Sequence, residues 1–120
     1  MKLVHVKPRK RMDGIIFNPQ LEYDHQVNVG NYRCPYCSEK TPFTTTHFDE
    51  AFKNQQTSLQ KKHAVAFDRF RPIRTAKWES FLDFYCPGCK NPVRIIFRTK
   101  GEQGMKGYSF EVSEIVEAKE

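Results

Sequence analysis

Cys34-Pro35-Tyr36-Cys37 and, after 48 intervening residues, Cys86-Pro87-Gly88-Cys89 contain all four cysteines of the chain. Two residues between cysteines is the spacing at which a tight turn aims both sulfurs at one point. Each intervening proline sets its own backbone angle, and Gly88 supplies the freedom such a turn often needs. Two such turns present four thiolates, enough to close a tetrahedral site around zinc through Cys34, Cys37, Cys86 and Cys89. A metal keeps each thiolate ionised in reducing compartments where disulfides do not persist. Iron accepts the same four sulfurs, so the spacing leaves a rubredoxin-like iron site open beside structural zinc.

The flanking residues alternate with the two-residue period of half-buried strands. Leu21, Tyr23, His25, Val27 and Val29 lead toward Cys34, and Ala76, Trp78, Ser80, Leu82 and Phe84 lead into Cys86, with Phe81 and Tyr85 on the opposite face. Val93, Ile95, Phe97 and Thr99 leave the second cysteine pair on one face, while Arg94, Ile96, Arg98 and Lys100 take the other. Gly101-Glu102-Gln103-Gly104 supplies turn chemistry, and Tyr108, Phe110, Val112 and Val116 read as a returning strand. Between the pairs, Pro42 and four threonines make Ser38 to Thr46 a strand rather than a helix start. Phe48 to about His63 lacks Gly and Pro and spaces Phe48, Phe52, Leu59 and His63 near a helical period. Asp49 and Glu50 then suit the helix start, and Lys61 and Lys62 its end.

Cys-Pro-Tyr-Cys alone resembles the glutaredoxin active site, a redox dithiol. That motif opens a helix, which the sequence after Cys37 disfavours, and it leaves the second pair unexplained. Disulfides are disfavoured because nothing marks export. Turn, intervening segment, strand, turn, strand, hairpin and strand together resemble the zinc-ribbon family, over residues 28–37 and 76–117. The resemblance implies a zinc ion closed off by four cysteines, with no coordination position left for water. The expected fold class is α+β, β-rich: a zinc-ribbon-like antiparallel sheet with one helix, about 48–63, in an insertion over 38–75. The chain of 120 residues is expected to form a single domain, 1–120, that begins with a basic N-terminal arm, 1–12.

The net charge of +6 is unevenly spread. Residues 1–12 carry five bases and no acid, and residues 61–106 carry eleven bases against four acids. Residues 13–60 and 107–120 are each net −3. The aromatic content of 13% excludes a disordered chain. No run approaches the roughly 18 to 20 apolar residues that cross a bilayer, and the basic N-terminus has no apolar stretch behind it, so a cytoplasmic protein without membrane contact is expected.

No catalytic residue stands out. His5, His25, His47 and His63 form no His-Glu-x-x-His arrangement, and Gly101 and Gly104 read as a hairpin rather than a phosphate loop. With no nucleophile and base pair, neither an enzyme nor a small-molecule substrate is expected. Arg69, Arg71, Arg74 and Lys77, interleaved with Phe67, Phe70 and Trp78, form a candidate partner-binding patch that Arg94 and Arg98 extend. Two partners fit such a patch. One is a protein recognised by an adaptor or an immunity or antitoxin-like inhibitor. The other is nucleic acid bound by the 61–100 patch and the N-terminal arm. The sequence leans to the protein, because acids interrupt every basic cluster except the arm.

Overall fold

The computed structural model describes residues 2–13, 28–74, 79–99 and 110–119. Among these residues seven strands and two α-helices follow in chain order: β1 (Lys2–Val6), β2 (Met12–Asp13), β3 (Asn28–Arg33), β4 (Lys40–Thr44), α1 (Thr45–Asn54), α2 (Lys61–Phe70), β5 (Glu79–Tyr85), β6 (Pro92–Thr99) and β7 (Phe110–Lys119). A short 3-10 turn, Pro8–Lys10, links β1 to β2. The class is α+β and β-rich.

The strands form two antiparallel sheets, one ordered β1-β7-β6-β5 and the other β2-β3-β4. The meander after the first cysteine pair is β5, β6 and β7. Its connecting turn at 101–104 and Tyr108 lie outside the described residues, as do Leu21 to Val27, Ala76 and Trp78. The basic segment 1–12 is no loose arm. Its residues 2–6 are β1, paired along β7 from Lys2 opposite Lys119 to Val6 opposite Ile115.

Strand alternation gives the larger sheet two faces, and both are covered. Val93, Ile95, Phe97 and Ile115 are buried against Met12, Tyr32, Phe43 and Phe48 of the second sheet and α1. On the other face Ile96 and Val116 are buried against Leu59, Ala64 and Phe67. The face bearing Arg94 is therefore roofed by α2. A β-bulge in β7 keeps Val112 on the face of Ile115: Ile96 pairs with Glu114 but Phe97 with Val112, leaving Ser113 over, and its hydroxyl donates to the Ile96 carbonyl at 3.2 Å.

The expected single helix at 48–63 is instead two helices with a non-helical link. α1 begins earlier, at Thr45, and its cap is not Asp49 or Glu50: the Thr44 N–H donates to His47 Nδ1 at 2.9 Å. It ends at Gln55, whose backbone is left-handed (φ 52). Tertiary bonds then hold 57–59 out of a helix. The Thr57 hydroxyl donates to Asp83 Oδ2 at 2.6 Å, the Ser58 hydroxyl donates to the Asp83 carbonyl at 2.9 Å, and Leu59 is buried. Lys61 and Lys62 consequently start α2 instead of ending α1. Tyr85 closes that end, its hydroxyl accepting from the Gln60 N–H and meeting His63 Nδ1, both at 2.8 Å.

Candidate metal centre

Both cysteine pairs sit at hairpin tips, Cys34 to Glu39 joining β3 to β4 and Cys86 to Asn91 joining β5 to β6. The two turns repeat one hydrogen-bond pattern. Cys34 N–H donates to the Glu39 carbonyl and Ser38 N–H to the Cys34 carbonyl, both at 3.0 Å. Cys86 N–H donates to the Asn91 carbonyl at 2.9 Å and Lys90 N–H to the Cys86 carbonyl at 2.8 Å. The left-handed backbone angle falls at Ser38 (φ 64) and at Lys90 (φ 66), the residue after the second cysteine in each turn. Gly88 is needed for space instead: a Cβ there would lie 2.6 Å from Cys37 Sγ.

The turns face one another across the sheets. Cys34 Sγ lies 3.6 Å from Cys89 Sγ and Cys37 Sγ lies 3.4 Å from Cys86 Sγ, and all four sulfurs fall within 4.8 Å of one another. A tetrahedral ion with metal–sulfur bonds near 2.3 Å needs sulfurs about 3.8 Å apart. The four cysteines could therefore hold one metal ion, and among the described residues they are the one such cluster. The first cysteine of each pair is buried, Cys37 is exposed and Cys89 is half-buried.

Without a counter-ion, so close a set of thiols ionises unequally. Burial pushes the Cys34 thiol up to about 12 and also raises Cys89. Burial opposes ionisation of Cys86 too, but N–H groups of Cys89 and Gly88 and the Cys37 thiol outweigh it and bring Cys86 to about 7. A cation at the centre is what allows four adjacent sulfurs to ionise together.

A polar cluster that residue spacing does not announce lies beside the first turn. Glu117 of β7 is buried, accepts from Arg11 Nε at 2.7 Å and Nη2 at 3.2 Å, and accepts from the Tyr32 hydroxyl at 2.5 Å. Burial and that bond push the Tyr32 hydroxyl well above its ordinary range. Tyr32 stands two residues before Cys34, so the cluster ties the first turn to β7. A lone glutamate within Ile115-Val116-Glu117-Ala118 was the available sign of it.

The five predicted partner-binding residues that are described do not form one exposed patch. Arg94 is a correction: its side chain is 1% exposed, donates to Asp83 Oδ1 at 2.7 Å, Asp83 Oδ2 at 2.9 Å and Asp68 Oδ1 at 2.6 Å, and lies over the Phe81 and Phe67 rings. Arg71 is also turned inward, donating to Glu79 at 2.6 and 3.0 Å and to Glu114 at 2.8 Å. Arg69 and Arg74 are exposed. Arg98 is half-exposed, 3.7 Å from Glu111. Lys77 lies outside the described residues. The alternation of β6 placed Arg94 correctly on the Ile96 face, but not the helix that covers that face.

No helix among the described residues is long and apolar enough to cross a membrane. No family model, curated protein or solved structure matches this chain.

Proposed function

We propose that the protein is a non-catalytic, zinc-stabilised binding module of zinc-ribbon-like architecture that recognises a protein partner as an adaptor or inhibitor. The two hairpins with equivalent cysteine turns support the ribbon reading, and four sulfurs that use every coordination position support a structural ion. Zinc is favoured over iron on the ribbon resemblance, since a tetrahedral all-thiolate site by itself accepts either ion. Cys34, Cys37, Cys86 and Cys89 would hold it, and its role would be to join the two sheets.

The observation that carries the partner reading is the fate of Arg94 and Arg71. With both paired to acids within the fold, neither is free to neutralise phosphate. The described charged residues of the 61–100 segment left exposed are Lys61, Lys62, Arg69, Arg74, Lys90 and Arg98 with Asp68, and exposed Arg suits a protein interface.

Purified protein should contain one equivalent of zinc by atomic emission. It should show no tight, specific affinity for duplex DNA or RNA. Retention on heparin to high salt together with tight, specific RNA or DNA binding overturns the protein-partner reading. A metal content of iron, or of none, overturns the zinc assignment.

A further inference from the structure

β1 and β5 are the two edges of the larger sheet. Beside β5 stand α1 and the segment 55–60: the Ser80 hydroxyl donates to the Ala51 carbonyl at 3.3 Å, and Ser58 meets the Asp83 carbonyl. β1 pairs only with β7 among the described residues. An edge strand presents unpaired N–H and C=O groups, and a second strand can add to it. The side chains along and just beyond this edge carry one sign. Lys2, Lys7, Arg9 and Lys10 are all exposed, and residues 2–12 contain no acid. Phe70, at the end of α2, is 37% exposed and places its ring 4.4 Å from that of His5 in β1.

We infer that β1 is the docking edge for an acidic, extended segment of the protein partner. The segment adds as a fifth strand, sets carboxylates against Lys2, Lys7, Arg9 and Lys10, and packs an apolar side chain beside Phe70. Lysines on an edge deter a second copy of the same chain, because self-pairing brings like charges together. The same charges leave the edge open to a strand of opposite sign, so one device excludes self-association and selects the partner. The inference rests on the protein-partner reading and names the surface that serves it.

The test titrates the full zinc-loaded protein with a heptapeptide that alternates glutamate with valine and carries one central phenylalanine. Two controls are used: the same peptide with lysine for glutamate, and the acidic peptide with proline for both valines, which cannot complete a strand. Saturable binding of the acidic peptide alone is expected, with the largest backbone amide shifts at residues 2–6 and at Phe70. Reversing the four charges (K2E, K7E, R9E, K10E) should weaken it about tenfold or more, with zinc content unchanged. Phe70→Ser should weaken it less.

No saturable binding at millimolar peptide, equal binding of the proline control, or shifts centred away from β1 overturns the inference. So does concentration-dependent dimerisation lost on charge reversal, which would make a second copy the occupant. A native partner that the charge-reversed protein still captures at full strength leaves the protein-partner reading standing and removes β1. Nucleic-acid binding without peptide binding removes both.

Discussion

Gly88→Ala tests the metal centre through its tightest contact. The added methyl would meet Cys37 Sγ at 2.6 Å, with Glu39 Cβ at 3.4 Å and Cys37 Cβ at 3.5 Å closing its other sides. Ordinary contact begins near 3.4 Å, so sulfur and methyl must part by about 0.8 Å. Metal–ligand distances tolerate only about 0.2 Å. The neighbouring Cβ atoms leave no simple pivot, so the strain passes to the Cys37 ligand. Zinc affinity should fall about 10–100-fold, the range seen when a ligand's supporting shell is damaged, or about 1.4–2.7 kcal/mol. Competition with a chromogenic zinc chelator measures the affinity, and the cobalt(II)-substituted absorption spectrum reports the ligand geometry. Tyr36→Ala, at the equivalent place in the first turn and 45% exposed, is the control and should leave both unchanged. A Gly88→Ala protein with wild-type affinity and cobalt spectrum would refute the placement of Cys37 in the metal's shell.

Three further outcomes follow from the fold. Arg94→Met strands the Asp83 carboxylate, whose side chain is 0% exposed, and should cost about 3–5 kcal/mol in urea unfolding. Adding Asp83→Leu to that variant should recover most of the loss, whereas additive losses would show that the pair is not a buried unit. Glu79 feels burial, which opposes its charge, but bonds from Arg71 and the Arg74 N–H win and hold its carboxyl below the ordinary range. Its stabilisation is therefore complete above the unfolded carboxylate range, about pH 4.3, and is lost as pH falls through the lower folded value. Wild type and Arg71→Met should differ most in thermal midpoint near neutrality and converge in acid; a difference that grows in acid would contradict the assignment. Removing the proposed zinc by chelation, or Cys86→Ser, should release the two cysteine turns from one another, since structural zinc is worth about 10–16 kcal/mol in small peptides. Unchanged hydrogen exchange at Arg33 and Tyr85 after chelation would refute that role.

Much of the centre was legible in the chain, because its chemistry is local. A Cys-Pro-x-Cys turn needs only its own backbone to aim two sulfurs, and the alternation running from Val93 to Phe97 needs only the pleat of a strand. The use of Gly88 was misread for a reason of the opposite kind. Its requirement comes from Cys37, which is remote in sequence, while the left-handed angles fall on Ser38 and Lys90. The helix was misplaced for the same reason: Phe48 to His63 has no breaker of its own, and Asp83, some 25 residues on, holds Thr57 and Ser58 in a non-helical link.

The sequence by itself determined the four sulfurs that could hold a metal ion, the strands that carry the second pair and the β-rich class, since each depends on spacing along one segment. Only the tertiary structure decided which charges face outward. Arg94 and Arg98 stand four residues apart on one strand face, yet α2 covers the first and leaves the second half-exposed. Burial in a low-dielectric layer requires the covered arginine to take Asp83 and Asp68 as partners. The basic N-terminal segment met the opposite fate. Pairing with β7 made its residues 2–6 a sheet edge and left Lys2, Lys7, Arg9 and Lys10 exposed while Arg11 turns in to Glu117, a placement that depends on a strand more than a hundred residues away.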